Sequence, residues 1–215
     1  MKTGSKDPDI PDGLIWTGLF FLDVESGFFS DEYIKDYYGN WMSYRSHFGD
    51  LQWWHSMQSN EKTAQEIQEK MIGLAIQQAN AFNANSQKDC EQAGRLLGFA
   101  LHTIEDSFSK AHTVRGADWS ISRFQNYGQQ DSHKHGEADK EKGSAEYQQA
   151  VSAVKKLLNL VICQKGNDAA IRQLLQNEVL KLSPTATVGG TEPGYQRGGS
   201  PPPVVPWGYG QGGAW

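Results

Sequence analysis

Three things are scarce in this 215-residue chain. No apolar run reaches the about 20 residues that a membrane-spanning helix needs; the nearest, residues 13–22, is too short. Its flanks also lack the basic start and small-residue cleavage site of a secretory signal, which points to a cytoplasmic protein or to export by a leaderless or specialised secretion route. Cysteine is limited to Cys90 and Cys163, in separate helical patterns with no CxxC pair, so both read first as buried thiols, with a single disulfide the alternative in an oxidising compartment. Basic clusters are absent too. The formal charge is −5, and no Lys/Arg patch forms the footprint that stable nucleic-acid binding requires.

Hydrophobic residues make up 38% of the chain, with seven Trp, eight Tyr and nine Phe, enough for one domain with a real core. Residues 1–12 are polar, contain Pro8 and Pro11, and read as a flexible arm. Residues 13–182 read as a helical domain. Ser30, Asp31 and Glu32 look like a helix start ahead of Tyr33, Ile34, Tyr37 and Tyr38. Ala64, Ile67, Met71, Leu74 and Ala75 share one face of a helix expected over 61–82. A second helix from about Lys88 carries Ala93, Leu96, Leu97, Ala100, Leu101, Ile104 and Phe108. A third, from about Ser144 to Cys163, turns Tyr147, Ala150, Val151, Val154, Leu157, Leu158 and Val161 inward. A fourth begins near Asn167 with Ile171, Leu174, Leu175, Val179 and Leu182. No alternating strand pattern competes, so the expectation is an all-α, multi-helix bundle. Residues 183–215 hold six Pro and nine Gly, a composition that offsets its ordering entropy poorly and predicts a disordered tail.

The chemistry is carried by histidine and carboxylate. All six histidines fall in three clusters. His102 and Asp106 are four apart on the second helix and project from one face, with His112 six residues further, just past its end. Imidazole and carboxylate are what zinc accepts when thiolate is absent. A second cluster offers His135/Asp139 and His133/Glu137, both at the same spacing. The two pairs are offset by about 200° at 3.6 residues per turn, so only one faces inward. His135/Asp139 is favoured, and His133 is expected in solvent. The third cluster is His47, Asp50 and His55 in a Trp-rich stretch of helix or loop. The ordinary alternative for each pair is a hydrogen bond on a helix surface, and for the Trp-rich stretch it is an aromatic core.

The run Leu97-Gly98-x-x-Leu101-His102-x3-Asp106-x5-His112, followed by His135-x3-Asp139, resembles the zinc-dependent phospholipase C family, which shares its all-helical fold with fungal single-strand nucleases. The resemblance spans roughly residues 45–140. It implies two or three zinc ions in a cleft, with His102 on the first and Asp106 bridging two. His112, His135 and Asp139 would hold another. Residues 46–50 resemble the family's upstream Ser-His-Phe piece, making His47 or His55 a ligand and Asp50 or Asp36 the upstream carboxylate; Asp50 would also orient or deprotonate the attacking water. The phospholipases usually close with His-x3-Glu and the nucleases with His-x3-Asp. This chain departs from the family at its start, Met1-Lys2-Thr3 with no His before His47, and has Lys110 where many relatives have Pro.

The implied activity is a phospholipase C releasing phosphorylated head groups at a phospholipid membrane surface, as a secreted bacterial effector would, with Trp53, Trp54 and Trp119 as candidate interface residues. A single-strand nuclease of the same fold is the alternative. A third possibility is a non-enzymatic helical interaction protein with a Pro/Gly/Trp tail.

Overall fold

The computed structural model describes residues 49–85, 90–139 and 143–197. The expected arm 1–12, the helix start at 30–32, His47, Asp36 and residues 198–215 lie outside the described residues. So do the side chains of Cys90, Ala93 and Leu96. Among the described residues no helix is long and apolar enough to cross a membrane.

The described chain is mostly helical. A 3₁₀ turn, Gln52–His55, precedes α1 (Ala64–Asn85) and α2 (Cys90–Asp106); α3 (Ser132–Asp139), α4 (Ala145–Leu158) and α5 (Asp168–Leu174) follow. Local chemistry starts these helices. Thr63 Oγ1 accepts from Glu66 N at the head of α1. Ser144 Oγ and Asn167 Oδ1 accept from Tyr147 N and Ala170 N at the heads of α4 and α5, each satisfying one orphan donor of a first turn. Asp131 Oδ1 does the same for α3, accepting from His133 N and Lys134 N.

The expected stripes form the core. Ile67, Met71 and Ala75 of α1 pack with Leu97, Leu101 and Ile104 of α2, and with Val154, Leu157 and Val161 from the α4 side. Burying each large aliphatic chain contributes about 1.5–3 kcal/mol. α4 passes into a π-helical turn, Asn159–Cys163, and α5 into another, Leu175–Val179. The extra residue per turn rotates the end of the α4 stripe, so Val161 stays buried while Ile162 and Cys163 face solvent. Cys163 is therefore an exposed thiol and not the buried one that periodicity suggested.

The all-α expectation needs correcting. Strands β1 (Thr113–Arg115), β2 (Ile121–Phe124) and β3 (Leu182–Val188) form a small sheet in the order β1-β2-β3. β1 and β2 are antiparallel; β2 and β3 are parallel. The fourth helical stripe thus stops at Val179, and Leu182 opens a strand. The expected disordered tail of 183–215 is corrected over 183–197, which are built into the domain. Pro184 is tolerated because β3 is at a sheet edge and the β2–β3 register breaks between Ile121 and Arg123. After β3, Gly189 and Gly190 take positive φ of 86° and 71°, a turn that a side chain would strain. The chain then returns to the loop before α3, with Asn126 N donating to Gly190 O and Asp131 N to Tyr195 O, both at 2.9 Å.

Candidate metal centre

Two groups of three ligand-type side chains converge at the C-terminal end of α2. The first is His55, His102 and Asp106; the second is His112, His135 and Asp139. Within each group the ligand atoms all lie within 4.8 Å of one another.

Helix spacing delivers the first group. His102 Nε2 sits 3.2 Å from Asp106 Oδ2, one helical turn on. The 3₁₀ turn supplies His55, whose Nδ1 is 2.9 Å from Asp106 Oδ2 and 3.1 Å from His102 Nε2. That turn ends at Ser56 with φ 53°, and Ser56 Oγ donates to Thr103 O at 2.5 Å, pinning the turn onto α2. Of the candidate upstream ligands, His47 lies outside the described residues and His55 lies in the centre. The aromatic stretch around it packs as a wall: Trp54 meets Phe99 edge-to-face at 4.7 Å, while Trp53 and Trp119 lean against the core.

The second group depends on a tight reversal after α2. Ser109 N donates to Asp106 O, and His112 N and Thr113 N both donate to Ser109 O. This brings His112 back under the helix end, its Nε2 3.2 Å from Asp139 Oδ1. His135 Nε2 approaches the other carboxylate oxygen, Oδ2, at 3.2 Å. Ser109 Oγ donates to Asp139 Oδ1 at 2.6 Å. The rival pair behaves as expected of solvated residues: His133 and Glu137 side chains are 81% and 68% exposed.

The groups are neighbours but do not share a carboxylate. Toward the second group, Asp106 Oδ2 approaches His112 Nδ1 at 3.8 Å, the ring nitrogen opposite the one that faces Asp139. Asp106 therefore belongs to the first group, and its carboxylate is not shared with the second. Asp50 is in neither group; it is half-buried, and its backbone carbonyl accepts from Ser59 Oγ.

The donor sets fit divalent cations on geometry and on polar satisfaction. Four donors at ~2.0–2.1 Å from one tetrahedral ion lie about 3.3 Å apart, close to the 2.9–3.2 Å edges of the first group. In the second group, His112 Nε2 and Asp139 Oδ2 are buried without a well-formed hydrogen bond, an arrangement that a cation, or a proton shared between His112 and Asp139, would relieve. Outer contacts orient the rings. His112 Nδ1 donates to the carbonyl of His55, and a carbonyl can only accept, so Nε2 of the neutral ring is left as the ligand atom.

The electrostatics agree. Burial would raise the Asp106 carboxyl, but the His102 and His112 charges, with hydrogen bonds to His102 and His55, outweigh it and hold the group well below its ordinary value. Asp139 is also lowered, burial being outweighed chiefly by His112. Burial would depress His112, yet Asp139 and Asp106 raise it to about 9. In the metal-free chain a proton on His112 thus supplies positive charge where a cation would otherwise do so.

Motif reading passed over Glu105, beside Asp106 on the border of the apolar stripe. Its side chain is buried, and neither carboxyl oxygen has a hydrogen-bond partner. Burial, with a smaller push from Asp106 opposed by His102, raises it to about 8. The available signal was a carboxylate one position off a ligand face, next to Ile104. No family model, curated protein or solved structure matches the chain.

Proposed function

We propose that this chain is a zinc-dependent phosphodiester hydrolase, of the phospholipase C type, that releases phosphorylated head groups from glycerophospholipids. The observation that carries the reading is the pairing of two buried His/His/Asp groups, side by side, from residues that follow in order the motif of that enzyme family. Nitrogen and carboxylate donors without thiolate favour zinc over calcium or magnesium. Ions held there would offset charge on phosphoryl oxygens and make a water nucleophilic near neutral pH.

The chain's own residues divide the work. His55, His102 and Asp106 hold one position, and His112, His135 and Asp139 the other. Ser109 keeps the Asp139 carboxylate aimed at its two histidines. Trp54, next to His55 in the 3₁₀ turn, packs edge-to-face on Phe99 of α2 and helps seat that turn on the helix. The −5 charge and the lack of a basic cluster favour a lipid head group over a polynucleotide as substrate.

One observation favours a single-strand nuclease: the inward pair is His135/Asp139, the closing spacing of the fungal nucleases. Zinc content by elemental analysis, head-group release from phospholipid vesicles and digestion of single-stranded DNA, each with and without chelator, separate the two. The expected result is zinc bound, head groups released and DNA intact. His102→Ala and Asp106→Ala should each lower activity by more than about 100-fold, at least what loss of an outer-shell partner costs. Unchanged activity in both variants would sink the hydrolase reading. A chain that binds no zinc and keeps its melting temperature in chelator would point to the non-enzymatic interaction protein.

A further inference from the structure

We propose that Gln130 is a positioning residue of the second ligand group, fixing the tautomer of His135 and tying the two histidines of that group together. The inference rests on the metal-binding reading above, and it follows from a chain of forced hydrogen-bond roles.

Gln130 is fully buried. Its Nε2 meets the carbonyl oxygen of Ala111. A carbonyl oxygen can only accept, so the amide nitrogen must face it and Oε1 must point the other way. Oε1 lies 2.6 Å from His135 Nδ1. An amide oxygen also only accepts, so His135 must carry a proton on Nδ1. The Nε2 lone pair of the neutral ring is then directed at Asp139 Oδ2, 3.2 Å away, where a cation would sit. Ala111 immediately precedes His112, so one side chain sets the orientation of one ligand and is anchored on the neighbour of the other.

The Gln130 backbone is as firmly held. Its N–H donates to Tyr127 O at 2.9 Å. It pairs with Gln196 in an isolated antiparallel bridge, and its carbonyl accepts from Arg197 Nε at 3.2 Å. The segment after β3, remote in sequence, thus buttresses the residue that orients His135. Nothing in the histidine motif requires a glutamine five residues before His135; the role comes from this fold.

The test compares full-length wild type with Gln130→Met, which keeps the volume but removes both hydrogen bonds, and with Gln130→Glu, which keeps the acceptor and removes the amide donor. Two readouts are independent. Long-range ¹H–¹⁵N NMR of the metal-free chain over a pH series shows which nitrogen of the neutral His135 ring carries the proton. Zinc titration followed by calorimetry shows how many ions bind and how tightly.

The proton is expected on Nδ1 in wild type and Gln130→Glu, and on Nε2, facing Asp139, in Gln130→Met. Zinc should bind the second group of Gln130→Met about 10–100-fold more weakly, as for other outer-shell partners of histidine ligands, with the first group unchanged. Gln130→Glu should hold its second zinc within about tenfold of wild type. An Nδ1 proton retained in Gln130→Met, or equal loss of the second zinc in both variants, overturns the proposal. If Gln130→Met does not fold, Gln130→Glu decides alone, and loss of its Nδ1 proton or its second zinc overturns the proposal. If wild type binds no zinc, the metal reading falls, and the NMR result still decides the part played by Gln130.

Discussion

Glu105 offers the most direct check on the electrostatics of this centre. Its carboxyl is buried, lacks hydrogen-bond partners and has its pKa raised from 4.5 to about 8. In the unfolded chain the group ionises at its ordinary value, so between those two pH values the folded state holds a proton that the unfolded state has released. Stability therefore falls as pH rises through that window and levels off above about 8. Each pH unit is worth about 1.4 kcal/mol, so the full loss in the metal-free chain is on the order of 5 kcal/mol. Glu105→Gln removes the ionisable proton with little change in shape. Wild type and variant should be similarly stable in chelator at pH 4.5–5, and the variant should become more stable by several kcal/mol by pH 8. Urea unfolding at half-unit pH intervals measures the difference directly, and common effects of the ligand histidines cancel to first order. Zinc should shrink the gap, because a cation beside Asp106 offsets the cost of a neighbouring carboxylate. Parallel stability curves for the two chains in chelator would refute the reasoning, since they would mean that Glu105 ionises as freely in the folded chain as in the unfolded one.

Three further outcomes follow from the same contacts. With His112 raised to about 9, zinc must displace its proton at neutral pH, so affinity at the second group should rise about tenfold per pH unit from 7 to 9 and then level off; calorimetry in buffers of different ionisation enthalpy should find about one proton released at pH 7, and a pH-independent affinity would contradict the assignment. Leu101→Ala, at a fully buried position one residue from His102, should cost about 2–5 kcal/mol in urea unfolding while leaving zinc stoichiometry unchanged in the folded fraction. A chain ending at Lys181 loses β3 and the contacts of residues 189–197, and its melting temperature should fall sharply; an unchanged value would mean that the sheet edge contributes nothing.

What could be read from the sequence was the part governed by local periodicity. Helices α1, α2, α4 and α5 sit where the three- and four-residue spacing of Ile67, Leu101, Val154 and Ile171 puts them, and Ser144 and Asn167 cap as their side-chain chemistry predicts. The same spacing puts His102 with Asp106, and His135 with Asp139. What escaped was set at long range. Nothing local marks His55 as a ligand, because its place depends on where a short 3₁₀ turn lands on α2. β3 was hidden by Pro184 and the glycines that follow, and its parallel pairing joins residues about sixty apart in the chain, a contact with no periodic signature. Gln130 was equally silent, since its importance lies in what its two amide atoms meet after folding.

His55 is used at both of its ends. Its ring nitrogen completes the first group, while its backbone carbonyl holds the ring of His112 in the second. A single 3₁₀ turn, latched to α2 through Ser56, is therefore a keystone common to both halves of the centre. A shift of that turn would unseat a donor from one half and release the orientation of a donor in the other. Disturbing that turn should therefore weaken both halves of the centre together, whereas a change confined to the second group's own contacts should leave the first in place.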